Sequence, residues 1–274
     1  MAKAPKVATE ISVLEISTGN AEFWLVGTSP LIFNRMALKA RHELLLPKGR
    51  KTPADRAANL KHIPLDEYRN SVNRNRDSAP TRLCFPAPGF KKAMATAALD
   101  LPGTKKTEIG RLTWVSGHSV NIYGVPQLLM SVVRSADIAK TPDIRTRAIV
   151  PQWCCKIDVN FVRPKLQVNS VARLIAAAGV TVGIGDWRQE KGSGSFGQYR
   201  IAEANDREVK AIMKAGGIKA QDAALNKPEC YDEESEELFS WWNEEITRMR
   251  DERHVKPGQA DEVVVEPAEE EEVD

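Results

Sequence analysis

The sequence contains few cysteines, and none of them is spaced to bind metal. Only four occur in 274 residues, namely Cys84, Cys154, Cys155 and Cys230, and no two form a C-x-x-C motif. Two of the four are adjacent in the chain, which makes a disulfide between them unfavourable. We therefore expect a protein of a reducing compartment that folds without disulfides and without zinc.

Long apolar runs are missing as well. No window approaches the roughly 18 consecutive apolar residues of a transmembrane helix. The first residues, MAKAPKVATEIS, lack the apolar stretch of a signal peptide. These absences predict a cytoplasmic protein with no membrane partner.

Sequence signatures of catalysis are also absent. The four histidines, at positions 42, 62, 118 and 254, show no H-E-x-x-H or H-x-x-x-H spacing, and there is no G-x-S-x-G motif. A glycine-rich segment at 183–197 lacks G-x-x-x-x-G-K-[ST], and its glycines follow a predicted helix, whereas nucleotide-binding glycines precede one. We expect no enzymatic activity, no metal and no cofactor.

What the sequence does contain is a strong division of charge. Residues 229–274 hold 18 Asp/Glu against four Lys/Arg, whereas residues 1–228 hold 35 Lys/Arg against 19 Asp/Glu. A basic body with an acidic tail is typical of proteins that bind polyanions. The alternative is a solubilising tail on an ordinary basic surface.

The order of predicted elements indicates an α+β fold. Alternating apolar residues predict strands, and apolar residues spaced three and four apart predict helices. A polar loop carrying Arg145 and Arg147 is predicted over 137–151. The predicted elements are a strand or hairpin over 9–33 with Gly19-Asn20 between its halves, a helix over 88–101, strands over 111–124, 126–136 and 152–162, a helix over 168–179 that ends at Gly179, and a strand over 196–204.

This order predicts a ferredoxin-like fold, in which two helices cover one face of an antiparallel sheet. The other face is where RNA-recognition domains receive single strands. Residues 1–203 form the predicted domain, with a large insertion at 34–86 after the first strand. A helical extension is predicted over 204–256, and residues 257–274 are predicted to be a disordered acidic tail.

The glycine-rich segment and the insertion are the predicted nucleic-acid contacts. Glycines let a backbone approach phosphates closely, cations neutralise phosphates, and Trp187 offers a stacking face. The alternatives are a flexible loop with Trp187 in the core, and an insertion whose charges are merely solvated. The candidate binding residues are Arg35, Lys39, Arg41, Lys48, Arg50, Lys51, Arg145, Arg147, Gly183, Gly185, Trp187, Arg188, Lys191, Gly192, Gly194 and Gly197.

The segment GIGDWRQEKGSGSFG, placed between the second predicted helix and the last strand, resembles the signature loop of the CRISPR-associated RAMP superfamily. Within that superfamily the chain is most similar to the backbone subunit that polymerises along guide RNA, and it also resembles uncharacterised phage-encoded proteins. The resemblance covers residues 8–203. It implies a modified RNA-recognition fold and head-to-tail assembly on single-stranded nucleic acid. It also implies an insertion after the first β-strand that clamps the nucleic acid.

The resulting hypothesis is a non-catalytic protein, phage-encoded, that coats single strands as an oligomer or filament. The acidic tail is similar to that of replication-type single-stranded-DNA-binding proteins, which favours DNA over RNA and predicts a protein partner for the tail. One alternative is a RAMP-type RNA endonuclease that uses His42 or His62 as a general acid or base. Another is a protein-interaction or virion scaffold.

Overall fold

The strands in the described part of the chain form two antiparallel sheets. This computed structural model describes residues 15–45, 61–134, 141–190 and 194–253. Numbered along the chain, the strands are β1 (Ser17–Gly27), β2 (Leu31–Ile32), β3 (Asn73–Arg74), β4 (Leu83–Pro86), β5 (Thr113–Val115), β6 (Ser119–Tyr123), β7 (Gln127–Arg134), β8 (Pro142–Val150), β9 (Cys154–Arg163) and β10 (Tyr199–Ala202).

Helices lie between these strands and follow the last of them. A single 3-10 turn, Ala98–Asp100, continues the third helix. The helices in the described ranges are α1 (Leu38–Leu45), α2 (Pro64–Ser71), α3 (Ala87–Ala97), α4 (Lys106–Leu112), α5 (Val168–Thr181), α6 (Arg207–Ala215), α7 (Ile218–Asn226) and α8 (Glu233–Arg253).

The main sheet has the strand order β10-β1-β9-β6-β4-β3, and β5 also pairs with β9. Strands β1, β5, β9 and β10 with helices α3 and α5 therefore follow a β-α-β-β-α-β order, in which the last strand lies beside the first. All of these pairs are antiparallel. The predicted α+β, ferredoxin-like fold is confirmed.

Helices α3 and α5 cover one face of this sheet. Their apolar stripes meet side chains that alternate along β1 and β9, as a pleated strand requires. Trp153 is fully buried at the end of the sheet and donates its indole N–H to the Ser29 carbonyl at 2.9 Å. The core includes Phe90 and Met94 of α3, Leu174 and Ile175 of α5, Phe23 and Leu25 of β1, and Ile157, Val159 and Phe161 of β9.

The structure decides two local predictions at glycines. Strand β1 runs straight through Gly19 and Asn20 while paired with β9, so of the predicted strand or hairpin the strand is confirmed. The prediction that the later helix ends at Gly179 is wrong. Helix α5 continues past Gly179 to Thr181, because a residue without a Cβ lets the Tyr199 backbone pack directly against the helix. The left-handed residue after this helix is Gly183, with φ of 70°.

The second sheet has the order β2-β8-β7. The prediction of a polar loop over 137–151 is wrong for most of its length, since Pro142–Val150 is strand β8. Arg145, Thr146 and Arg147 interrupt its apolar pattern, and Thr146 and Arg147 can be buried only because other elements cover them. Ser71 at the end of α2 is one of those covering residues, and its hydroxyl accepts a hydrogen bond from the Ala148 N–H at 2.9 Å.

The C-terminal helices pack back onto both sheets. Val209 and Ile212 of α6 contact Val26 and Cys154 on the sheet face opposite α3 and α5. Ser235 lies in the first turn of α8. Its hydroxyl accepts a hydrogen bond from the Met130 N–H on β7 at 2.9 Å and donates one to the Met130 carbonyl at 3.3 Å. Part of the sheet face that was expected to be open is therefore covered.

The insertion contributes structure to the main sheet. It contains α1, α2, β3 and β4, and β4 pairs with both β3 and β6. The exact domain boundaries, and the disordered tail from 257, stay predictions; residues 46–60 and 254–274 lie outside the described ranges. None of the helices in the described ranges is both long and apolar enough to cross a membrane.

Candidate nucleic-acid interface

The described parts of the glycine segment, which is residues 183–197, are 183–190 and 194–197, and hydrogen bonds join these two parts. The N–H of Ile184 donates to the Gly197 carbonyl at 2.9 Å, and the N–H of Phe196 donates to the Trp187 carbonyl at 3.2 Å. The segment is also fastened to β2 and its preceding turn, because Asp186 N–H donates to Ile32 and Gly197 N–H donates to Pro30. These N–H groups are thus occupied within the protein.

The described glycines of this segment are required by backbone conformation or by close backbone approach. Gly183, Gly185 and Gly197 have φ of 70°, 86° and 72°, in the left-handed region that favours glycine. A Cβ at Gly194 would overlap the Trp187 carbonyl, and one at Gly197 would overlap the Ile184 carbonyl. Steric fit explains why these positions are glycine, so their presence does not depend on a phosphate. Lys191 and Gly192 lie outside the described residues.

Trp187 and Arg147 form a packed cluster beneath the glycine segment. The Trp187 ring is half-buried and packs near Phe196, with ring centroids 6.3 Å apart. The Arg147 guanidinium lies 5.5 Å from the centre of the Trp187 ring and 2.9 Å from an Asp186 carboxylate oxygen. Arg147 is 5% exposed, and its burial lowers the pKa of the guanidinium, which Asp186 partly offsets. In this conformation Arg147 and Trp187 stabilise the connection between the sheets.

Arg188 is also held within the protein. Its guanidinium contacts a Glu190 carboxylate oxygen at 2.9 and 3.0 Å and donates to the Gly185 carbonyl at 3.0 Å. A phosphate contact by Arg188 would have to compete with Glu190. Arg145, two residues before Arg147 on β8, is exposed and is the better placed of the two β8 arginines for such a contact.

Arginines of the insertion gather around the C-terminal end of α2. The N–H of Arg35 donates to the Ser71 carbonyl at 2.8 Å, which fixes its backbone at this end of the helix. Arg41 on α1 lies close enough to lower the pKa of Arg35, after the larger effect of burial. The Arg41 Nε is buried and has no hydrogen-bond partner in the described part of the chain. Lys39 is on the same helix, whereas Lys48, Arg50 and Lys51 lie outside the described residues.

A cleft opens beside this group, and we call it the arginine cleft. Its volume is about 440 Å³. Its walls come from the start of the insertion, from β3 and β4, and from the turn before β6. It is lined by Arg35, Asn73, Arg74, Cys84, Pro86, His118 and Ser119.

The charge of the arginine cleft is one-sided. No carboxylate of the described residues lies within ion-pair distance of Arg35 or Arg74, although the neighbouring Arg82 is paired with Asp77 and Asp222. Burial lowers the pKa of the Arg74 guanidinium, and the like charges of Arg82, Arg69 and Arg35 lower it further, whereas Asp222, outside ion-pair distance, raises it. Burial also raises the pKa of the Cys84 thiol, so this cysteine adds no negative charge.

Arg69 and Arg82, by contrast, are structural. Arg69 donates to the Leu225 and Asn226 carbonyls at the end of α7, at 3.0 and 3.1 Å. Arg82 contacts both carboxylate oxygens of Asp222, at 2.6 and 3.0 Å. Composition alone did not distinguish Arg35 and Arg74 from Arg69 and Arg82. No pattern in the sequence indicated that His118 and Ser119 would lie beside Arg35 and Arg74.

The open part of the main sheet is not a basic surface. Alternation with the buried residues of β1 and β9 puts Asn20, Glu22, Lys156 and Asp158 on the face opposite α3 and α5. Glu22 pairs with Lys156 at 2.8 Å, and Asn20 hydrogen-bonds Asp158. This face suits contacts with bases better than contacts with phosphates, and Trp114, 37% exposed on β5, supplies an aromatic surface there.

His62 bridges two carboxylates. Its Nδ1 lies 2.8 Å from a Glu67 oxygen on α2, and its Nε2 lies 3.1 Å from an Asp143 oxygen on β8. A hydrogen bond from Lys61 is the main cause of a lowered pKa for Asp143, and His62 lowers it further. This arrangement ties the insertion to β8, while His42 lies exposed on α1. An acid/base role for either histidine stays a prediction.

The fold is thus of the ferredoxin-like class, with a cation-lined cleft at the edge of its main sheet. No family model and no curated protein matches the chain. Among solved structures, the chain is similar to Cmr6 from Pyrococcus furiosus, with 8% sequence identity and a TM-score of 0.35 over 68% of this chain and 98% of that chain. A similarity of this size carries no argument about function, so membership of the RAMP superfamily stays a prediction.

Proposed function

We propose that the protein binds single-stranded nucleic acid, DNA in preference to RNA, and that copies of it coat one strand without catalysing a reaction. The observation that carries the proposal is the group of guanidinium ions at Arg35, Arg41 and Arg74, which lack carboxylate partners among the described residues. Backbone phosphates would neutralise them. The charge of residues 1–228 supports the same partner, since it exceeds neutrality by 16 positive charges.

Each part of the molecule has a role in this proposal. The insertion and Arg145 contact phosphates, the sheet face with Trp114 contacts bases, and the acidic tail competes with the strand or binds a partner protein. The preference for DNA rests on the tail, whose composition is similar to that of replication-type single-strand-binding proteins.

The test is a binding series with labelled single-stranded DNA, single-stranded RNA and duplex DNA of equal length. We expect single-stranded DNA to bind most tightly, with the logarithm of the association constant falling linearly against the logarithm of salt concentration. Electron microscopy should show extended particles only when a long strand is present. The proposal fails if protein lacking residues 258–274 binds no single strand at low salt. Labelled RNA should remain intact. If the protein instead cleaves RNA and His62→Asn abolishes the cleavage, the protein is an endonuclease.

A further inference from the structure

The arginine cleft differs from an ordinary basic surface in its shape and in the hydrogen bonds that its side chains leave unused. Arg35 donates to the Val72 carbonyl at 3.4 Å, and Arg74 donates to the Arg69 carbonyl at 2.9 Å. Each arginine thus also satisfies a carbonyl near the end of α2. A guanidinium has five N–H donors, so most donors on both side chains have no partner among the described residues.

The cleft also supplies neutral donors. Asn73, His118 and Ser119 line it, and the Ser119 side chain also hydrogen-bonds Cys84. Asn73 lies opposite Cys84 in the β3–β4 pair, and Ser119 lies opposite Pro86 in the β4–β6 pair, so regular strand pairing fixes both positions. Forked guanidinium donors with amide and hydroxyl donors in one concavity match the acceptor oxygens of a phosphate.

Electrostatics favours an anion at this place. Arg35, Arg41, Arg69, Arg74 and Arg82 lie close together, and the carboxylates among the described residues nearby, Asp77 and Asp222, pair with Arg82. Bringing like charges together costs free energy that a bound anion recovers. A volume of about 440 Å³ accommodates more than a phosphate, and leaves room for the attached sugar.

We propose that the arginine cleft is a built phosphate-binding site, in which Arg35 and Arg74 hold one phosphate group of a nucleotide with donors from Asn73, His118 and Ser119. This inference rests on the proposed function, because the nucleotide is taken to be part of a bound single-stranded nucleic acid. The phosphate is either an internal phosphodiester or the terminal phosphate of the strand.

The experiment compares the full-length protein with the double variant Arg35→Gln/Arg74→Gln. Arg173→Gln, an exposed arginine on α5, is the control for loss of positive charge. We expect the double variant to lose about tenfold or more in affinity for single strands, because hydrogen bonds to a charged group are lost. The salt-dependence slope should fall by about 0.7, the value for one neutralised phosphate. Arg173→Gln should retain wild-type affinity within about twofold.

Oligonucleotides with a 5′-phosphate, a 3′-phosphate or only hydroxyl ends identify the source of the phosphate. An equal loss for all three in the double variant assigns an internal phosphodiester. A wild-type preference for one phosphorylated end, lost in the double variant, assigns a terminal phosphate.

Thermal unfolding in inorganic phosphate, compared with chloride at equal ionic strength, separates this inference from the proposed function. A phosphate-induced rise in the wild-type midpoint, absent in the double variant, supports the cleft even if no strand binds. If strands bind the double variant with wild-type affinity and slope, the cleft is not a phosphate site, although the proposed function stands. If phosphate and strands both leave the wild type unaffected, both proposals fail.

A variant that fails to fold does not end the test. Arg35→Lys/Arg74→Lys keeps both charges and one donor at each helix carbonyl, but it removes the fork that binds a phosphate bidentately. We expect the lysine variant to fold. Its affinity for single-stranded nucleic acid should be lower than that of the wild type and of Arg173→Gln, and higher than that of Arg35→Gln/Arg74→Gln. Wild-type affinity in this lysine variant would exclude a forked contact.

Discussion

At the scale of the residue, the same amino-acid type has opposite roles in this protein according to its partners. Arg147 and Arg35 both belong to basic stretches of the sequence, but Arg147 is buried against Trp187 and paired with Asp186. Arg35 borders an open cleft and has no such carboxylate among the described residues. A guanidinium whose charge is already compensated gains little from a phosphate, so only the second kind is a candidate contact.

Glycine residues show the same dependence on surroundings. We predict that Gly197→Ala destabilises the fold more than Gly103→Ala, measured by urea unfolding. Both glycines have positive φ, 72° and 75°, so each change costs about 1–2 kcal/mol for the left-handed conformation. A Cβ at Gly103 meets nothing within 4 Å, whereas at Gly197 it overlaps the Ile184 carbonyl and should add about 1–3 kcal/mol. Equal costs would contradict the packing described for the glycine segment.

At the scale of the element, helix α7 fastens the C-terminal region to the main sheet through one buried amide. The fully buried Gln221 accepts from the Leu83 N–H at 2.9 Å, and its Nε2 lies within 2.8–2.9 Å of the Ile122, Gly124 and Gly216 carbonyls. The side chain thereby joins β4, the end of β6 and the turn between α6 and α7.

We predict that Gln221→Leu lowers the free energy of unfolding by at least about 2 kcal/mol, because buried backbone groups lose their partners. Gln152→Leu, at an exposed glutamine, should change it by less than about 0.5 kcal/mol. Chemical denaturation followed by tryptophan fluorescence measures both. A cost no larger than that of the control would mean that α7 does not hold the two regions together.

At the scale of the whole molecule, charge division is the dominant property. Residues 258–274 contain eight acidic and no basic residues, while the body is strongly basic. A tail of this kind competes with a polyanion for the basic surface, and the competition weakens as salt screens it.

Deletion of residues 258–274 should therefore tighten single-strand binding, by about tenfold at low salt and by less at high salt. A full-length variant with the tail carboxylates changed to amides is the matched control, and it should behave like the deletion if charge is the cause. Fluorescence anisotropy over a salt series measures the effect. Unchanged affinity at low salt in both variants would exclude competition by the tail.

The sequence by itself determined the fold class, most of the long elements and the charge division. Helix α3 and strand β9 were predictable because their apolar residues recur at the spacing of one secondary structure. Strand β8 was not predictable, since its polar residues Thr146 and Arg147 are buried only by contacts that form in the folded chain. The predicted sites mixed structural and available arginines for the same reason.

Only the tertiary structure decided which cations are available. Arg35 and Arg74 are 39 positions apart in the chain, and His118 is a further 44 positions away, so no local pattern links them. Antiparallel pairing of β3, β4 and β6 brings their surroundings together, and ion pairs elsewhere occupy Arg82, Arg147 and Arg188. Sequence fixes how many charges a chain carries, but whether a charge is compensated depends on through-space distance, which only the folded chain sets.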